Sequence, residues 1–177
     1  MARVSLIRPE DRPELSELVA KISGARGRLL NIYRVLLHSA PVTEAWLTFI
    51  STLRSDTSLD VQTLELAITR IGIVNRAEYI LRQHVPNYVL KAGLTMDKID
   101  TLPQWRESQA FSASERALLA YVDAMTREID VDDATFGELR KHYNEQQVVE
   151  LTVLVGAYNM HSRLVKALNI DLETPQT

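Results

Sequence analysis

Helical periodicity of the apolar residues runs through nearly the whole chain and limits its fold more than any other feature. Apolar side chains recur every three or four residues from residue 13 to residue 168, and no segment alternates apolar and polar residues as a half-buried strand does. The pattern predicts helices over residues 13–22, 29–38, 43–53, 61–74, 77–91, 114–128, 132–143 and 146–168. Residues 94–113, which include Pro103, are expected to form a long connection. We therefore predict an all-α protein, folded as a compact helical bundle.

Length, composition and charge fit one soluble domain over residues 1–177. Of these 177 residues, 46% are hydrophobic and 24% are charged, as in globular proteins. The net charge of −3 gives no general affinity for nucleic acid or anionic lipid. Residues 151–162, the longest uncharged stretch of the C-terminal half, are too short to span a bilayer, and the N-terminus lacks the apolar core of a secretory signal. A cytoplasmic protein without nucleic-acid or membrane partners is therefore expected.

The chain contains no cysteine. This excludes disulfides, cysteine-ligated zinc, iron–sulfur clusters and every thiol mechanism. Histidines and carboxylates do not show metal-ligand spacing, and the glycines do not form a phosphate-binding loop after a strand. We therefore expect no metal and no cofactor.

Two titratable side chains face inward from consecutive predicted helices. Glu65 lies at the edge of the apolar stripe of residues 61–74, and His84 lies at the centre of the stripe of residues 77–91. A buried carboxylate needs a partner, and a short turn would place these two side chains next to each other. The pair fits either a structural link between two helices or an acid–base site.

An internal repeat is visible in the sequence. The Glu-Leu-Ala-Ile segment at residues 65–68 recurs as Glu-Leu-Thr-Val at 150–153, and Gly-Ile-Val-Asn at 72–75 recurs as Gly-Ala-Tyr-Asn at 156–159. The two spacings differ by one residue. The similarity indicates two copies of one helical unit related by an approximate twofold axis, or else a chance likeness between apolar helices.

The sequence resembles the carboxymuconolactone decarboxylase family, which includes the alkylhydroperoxidase D-like (AhpD-like) proteins. The resemblance rests mainly on residues 65–84 (ELAITRIGIVNRAEYILRQH), together with residues 31–49 and 156–168, and it covers a core of about 25–168. The spacing from Glu65 to His84 and the Glu78-Tyr79 dipeptide are its most specific parts. It implies an AhpD-like helical bundle and a homo-oligomer, a trimer or hexamer.

The resemblance also limits the chemistry. The peroxidase branch of the family has two thiols, and the matching positions here are Ala77 and Ile80, so thiol peroxidase activity is excluded. The thiol-free branch resembles the decarboxylases of aromatic catabolism, which are lyases that act on a carboxylated lactone without a metal or organic cofactor. The resemblance implies that His84 is the acid/base and Glu65 its partner. The substrate would be a small carboxylated lactone or an enolisable carbonyl compound. The alternative is a binding or structural protein that has kept the fold without catalysis.

Five further residues are candidate substrate contacts. By the repeat, His161 would begin the twin helix and point towards a similar cavity, although a surface or core histidine fits as well. Glu78 and Tyr79 match the family motif, and an acidic residue at a helix start is also favoured by the helix dipole. Arg34 and Arg70 are candidate anchors for a substrate carboxylate, with structural ion pairs as the alternative.

Overall fold

The structure is a computed structural model that describes residues 2–173, and its regular elements are helical. Residues 2–173 contain no strand, which confirms the all-α prediction. The α-helices are α1 (Ser16–Arg26), α2 (Asn31–Leu36), α3 (Ala40–Ser55), α4 (Val61–Val74), α5 (Glu78–His84), α6 (Met96–Thr101), α7 (Ala113–Arg127), α8 (Asp133–Arg140) and α9 (Glu145–Ala167). Three short 3-10 turns (Pro9–Asp11, Pro13–Leu15 and Leu102–Gln104) and one π-helical turn (Val85–Val89) complete the regular structure described.

Two compact units make up the described chain. The first contains residues 2–56 and 164–173, and the second contains residues 57–163. In the first unit, α1, α2 and α3 bury apolar side chains that include Ile22, Leu36 and Leu47. In the second unit, α4 packs against α5 and α7, and the buried side chains include Ile68, Leu118 and Leu151. No helix within residues 2–173 combines the length and apolar character that crossing a membrane requires.

Side-chain caps explain where the helices of the second unit begin. Asp60 Oδ1 accepts a hydrogen bond from the Thr63 N–H at 2.9 Å, so α4 begins at Val61 as predicted. Ser112 and Glu115 form a reciprocal capping box at the start of α7. Asp132 caps α8 by accepting from the Thr135 N–H at 2.7 Å. These polar residues define three helix starts that apolar periodicity alone places only to within one or two residues.

The structure differs from the predicted segments at two prolines. Pro41 lies in the first turn of α3, which begins at Ala40 rather than at Thr43. Pro103 lies in the 3-10 turn that follows α6, so the long connection predicted over residues 94–113 contains a short helix and a 3-10 turn. Both prolines are tolerated there because proline is compatible with the first helical turn, where its missing N–H has no intrahelical partner.

Candidate active site

Glu65 is a buried carboxylate in the middle of α4. Its neighbours along the helix are apolar on nearly every side, so the second unit encloses it and only 2% of the residue is exposed. The carboxylate cannot remain in this setting without polar contacts, because burying an uncompensated charge costs several kcal/mol.

His84 supplies a contact to that carboxylate. The connection between α4 and α5 is short, and the Ala77 N–H donates to the Gly72 carbonyl at 2.8 Å, so α5 folds back along α4. His84 ends α5, where its Nδ1 lies 2.7 Å from Glu65 Oε2. The prediction that Glu65 and His84 lie side by side is therefore confirmed.

A proline fixes the position of His84 at the helix end. Pro86 has no N–H to donate to the carbonyl four residues earlier, so the regular α-helix cannot continue through it. The chain proceeds instead as the π-helical turn Val85–Val89. This wider turn directs Tyr88 back towards the imidazole, with the two ring centroids 5.2 Å apart. The helix predicted over residues 77–91 is therefore divided into α5 and this π-helical turn.

Aromatic rings connect His84 to a second histidine. The ring of Tyr158, on α9, meets the His84 ring edge-on, with centroids 5.5 Å apart and an interplanar angle of 82°. On the same helix, His161 stacks on Tyr158 at 5.5 Å and 24°. Tyr158 is 1% exposed, and both ring nitrogens of His161 are buried. Glu65, His84 and His161 thus belong to one buried cluster in the second unit.

The two tyrosines of this cluster are not among the site residues predicted from the sequence. Tyr88 follows His84 by four residues, and Tyr158 precedes His161 by three, so both lie at the helical spacing that brings side chains together. Helical spacing from each histidine was the signal that could have identified them.

The repeat brings equivalent residues into contact. Asn75 Nδ2 donates to Asn159 Oδ1 at 2.9 Å, and these residues occupy matching places in the two copies of the sequence pattern. Asn159 Nδ2 in turn donates to Thr126 Oγ1 at 3.0 Å. A direct contact between equivalent positions is what an approximate twofold relation would produce.

Arg70 lies apart from the histidine cluster and is fully engaged by other groups. Its Nε and Nη2 donate to the two carboxylate oxygens of Asp123 at 2.6 and 2.9 Å, and Nη1 donates to the carbonyls of Leu102 and Pro103. Arg70 is 2% exposed. This geometry favours the structural alternative for Arg70 over a substrate anchor.

The remaining candidates lie in different surroundings. Glu78 is exposed at the first turn of α5 and pairs with Arg82 at 3.4 Å, whereas Tyr79 is buried. Arg34 belongs to the first unit, where its Nε donates to the Ile7 carbonyl at 3.0 Å. Glu78 and Arg34 are therefore held by neighbours of their own.

The two positions that match the thiols of the peroxidase branch are part of the apolar interior. Ala77 and Ile80 are each 1% exposed. Within residues 2–173, no three histidine, aspartate or glutamate side chains are grouped so that they could hold a metal ion.

The cluster has the parts of an acid–base pair. An ionised Glu65 can only accept a hydrogen bond, so Nδ1 of His84 must carry the proton of their contact. The neutral imidazole then has its basic lone pair on Nε2. Glu65 thereby sets the tautomer and orientation of His84, and it stabilises the imidazolium that forms when Nε2 takes up a proton.

Solved structures share this fold. A protein of unknown function from Agrobacterium tumefaciens, named as a candidate AhpD antioxidant-defence protein, is 27% identical, with a TM-score of 0.73 over 78% of this chain and 94% of its own. The debrominase Bmp8 is 18% identical, with a TM-score of 0.78 over 97% of this chain and 92% of its own. At that identity the likeness to Bmp8 shows the fold alone.

Sequence comparisons find a relative in Escherichia coli and a matching family model. The uncharacterized protein YnjA of Escherichia coli is 37% identical over 78 residues, which are 44% of this chain and 43% of YnjA. This chain thus spans less than half the length of YnjA in the match. The model of the carboxymuconolactone decarboxylase family matches residues 40–124, a range that includes both Glu65 and His84. The chain is thus similar to the carboxymuconolactone decarboxylase family over residues 40–124, and it has an AhpD-like helical fold.

Proposed function

We propose that this protein is a cofactor-independent acid–base enzyme that acts on a small carboxylated lactone or another enolisable carbonyl compound, in the manner of 4-carboxymuconolactone decarboxylase. The observation that carries the proposal is the buried contact of 2.7 Å between His84 Nδ1 and Glu65 Oε2. Similarity to the family adds support, because the matched range contains both residues.

The proposed chemistry needs one proton transfer to carbon. When the bond between the substrate carbon and its carboxylate breaks, carbon dioxide leaves and the electron pair passes into an extended enolate. A proton on Nε2 of His84 then moves to carbon, and the imidazole recovers a proton from water. Glu65 stabilises the imidazolium before the transfer, and general acid catalysis of this kind contributes about 10²- to 10⁴-fold in rate.

Tyr158 and His161 extend the proposed site. Tyr158 touches the His84 ring, so its phenol belongs to the same buried surroundings as the reacting imidazole. His161 stacks on Tyr158 and is proposed as a substrate-binding group. Arg70 and the exposed Glu78 have no part in this proposal, because each is engaged by a neighbouring side chain, and Arg34 belongs to the first unit.

A second candidate function is a non-catalytic member of the fold. The specific observation in its favour is the closeness of the packing around the pair. His84 is 5% exposed, and Ile80, one turn before it, is 1% exposed. In this case the Glu65–His84 contact would serve only to hold α5 against α4.

Turnover by matched variants separates the two candidates. The substrates are 4-carboxymuconolactone and a panel of small lactones and β-keto acids, with carbon dioxide release and ultraviolet absorbance as readouts. The variants are His84→Ala, Glu65→Gln and, as a control, His142→Ala. His142 contacts Glu138 near the end of α8 and lies outside the cluster. Circular dichroism and thermal melting establish that each variant is folded.

The acid–base proposal predicts that folded His84→Ala loses turnover by about 10²-fold or more. Glu65→Gln should lower kcat and move its pH profile, and His142→Ala should match the wild type. If the folded His84→Ala variant turns over substrate at the wild-type rate, the proposal is contradicted. Absence of turnover in every protein, with His84→Ala changing only the melting temperature, would favour the non-catalytic candidate.

A further inference from the structure

A cleft of about 540 Å³ lies in the first unit, between the segment of residues 5–12 and α2. Three arginines line it, Arg8, Arg12 and Arg34, and Asp11 is the one acidic residue of its lining. The lining therefore carries a formal charge of about +2. The volume lies within the range of about 300–1,000 Å³ that is usual for small-molecule sites.

Arg34 is held in place by reciprocal bonds to the opposite wall. Its Nε donates to the Ile7 carbonyl at 3.0 Å, and the Ile7 N–H donates to the Arg34 carbonyl at 3.1 Å. No residue among those described, 2–173, accepts a hydrogen bond from the two Nη atoms of Arg34. The guanidinium is thus oriented at Nε and keeps two parallel donors for a ligand, which removes part of the entropy cost of binding.

The other two arginines add charge from the N-terminal segment. Arg8 is exposed on this wall, and Arg12 contacts Glu14 through Nε. The Ser5 hydroxyl offers one more donor on the same lining. Like charges repel when they are gathered in one cleft, and an oxyanion that accepts from them relieves this repulsion.

The local excess of positive charge is not a result of overall composition. The whole chain has a net charge of −3, whereas this lining collects three guanidinium groups around one carboxylate. Planar guanidinium groups match the paired oxygens of carboxylates and phosphates better than a point charge does. The feature that selects the ligand is therefore charge carried on oxygen atoms.

We propose that this cleft binds a small dianion whose charges lie on oxygen atoms, an organic phosphate or a dicarboxylate. Arg34 is its oriented anchor, and Arg8 and Arg12 complete the neutralisation. This inference goes beyond the acid–base function and does not depend on it, because every residue in the argument belongs to the first unit.

Calorimetric titration of the full chain tests the proposal. Inorganic phosphate and malonate are titrated separately in a Tris–chloride buffer of constant ionic strength. The variants are Arg34→Lys, which keeps the charge and loses the paired donors, and the double variant Arg8→Gln/Arg12→Gln. Arg82→Gln is the matched control, since Arg82 is an exposed arginine of the second unit.

We expect saturable one-to-one binding of phosphate, malonate or both. The ligand that binds more tightly shows whether the cleft prefers a phosphate or a dicarboxylate. Each lost guanidinium should weaken binding by about tenfold, and the control should bind as the wild type does. Lack of saturation with either dianion up to tens of millimolar would overturn the proposal. Equal binding by the double variant and the wild type would overturn it too, because binding would then not depend on the cleft.

Discussion

Replacing Asp123 with asparagine tests the main polar contact of the second unit. Asp123 Oδ1 accepts from Arg70 Nε at 2.6 Å. Oδ2 accepts from three donors, Arg70 Nη2 at 2.9 Å, Trp105 Nε1 at 3.1 Å and Arg106 Nη1 at 2.7 Å. The carboxylate thus has four hydrogen bonds on two oxygens, and the substitution keeps its shape.

The amide of asparagine cannot satisfy this arrangement in either orientation. If its nitrogen replaces Oδ2, it faces three donors, and if it replaces Oδ1, it faces the Nε of Arg70. The charge that compensates Arg70 is also lost, although Arg70 is only 2% exposed. Removing one partner of a buried ion pair costs about 3–5 kcal/mol. For a chain of this length, we expect the melting temperature of Asp123→Asn to fall by roughly 10 °C.

Urea unfolding, monitored by circular dichroism, measures the free energy of unfolding of each variant. Two control variants test whether the loss comes from the unpaired charge of Arg70. Arg106→Gln removes a donor whose side chain is 61% exposed, so it should cost less than about 1 kcal/mol. The double variant Arg70→Met/Asp123→Leu leaves no buried charge unpaired, since Arg106 is exposed, and should be much more stable than Asp123→Asn. A loss below about 1 kcal/mol in Asp123→Asn would show that Arg70 does not depend on this carboxylate.

Two other predictions concern pH and glycine. Burial raises the pKa of Asp123, but hydrogen bonds from Arg70 and Arg106 outweigh this effect and hold the pKa below its usual value. The stability that Asp123 contributes is therefore present above the unfolded pKa of about 4 and is lost as the pH falls through the folded pKa. Melting temperatures measured from pH 7 to pH 2 should fall accordingly. The same fall in Arg70→Met/Asp123→Leu would contradict its assignment to Asp123. A Cβ at Gly72 would lie 2.8 Å from Leu81 Cδ2, whereas one at Gly156 meets nothing within 4 Å. Gly156→Ala should thus stabilise by about 0.5–1 kcal/mol, and Gly72→Ala should be less stable than Gly156→Ala by at least about 1 kcal/mol, as measured by urea unfolding; equal effects would contradict the steric argument.

Local sequence signals predicted α4 and the contact it makes with α5. The apolar periodicity lies within the helix itself, so it predicts the helix without knowledge of the rest of the fold. The contact between Glu65 and His84 spans only 19 residues and one short turn. Amphipathic patterns on two consecutive helices were therefore sufficient to predict it.

Contacts between distant segments could not be predicted in this way. Arg70 and Asp123 are 53 residues apart, and nothing in their local patterns shows that α4 and α7 are neighbours. Tyr158 reaches His84 from α9 for the same reason. Helix α6 was missed because it is short, and Pro103 suggested a connection although proline suits the first turn of the 3-10 helix there.

The two buried polar pairs of α4 differ in what they are suited to do. Glu65 and Arg70 are five residues apart, so their side chains point in directions about 140° apart around the helix axis. Glu65 faces α5, and Arg70 faces α7. An arginine–carboxylate pair keeps its charges throughout the physiological range, and four hydrogen bonds saturate Asp123, which suits a permanent link between helices. A histidine–carboxylate pair can exchange a proton near neutral pH, which a purely structural link does not require. If this division of roles is correct, Arg70→Met/Asp123→Leu will retain the turnover that His84→Ala loses.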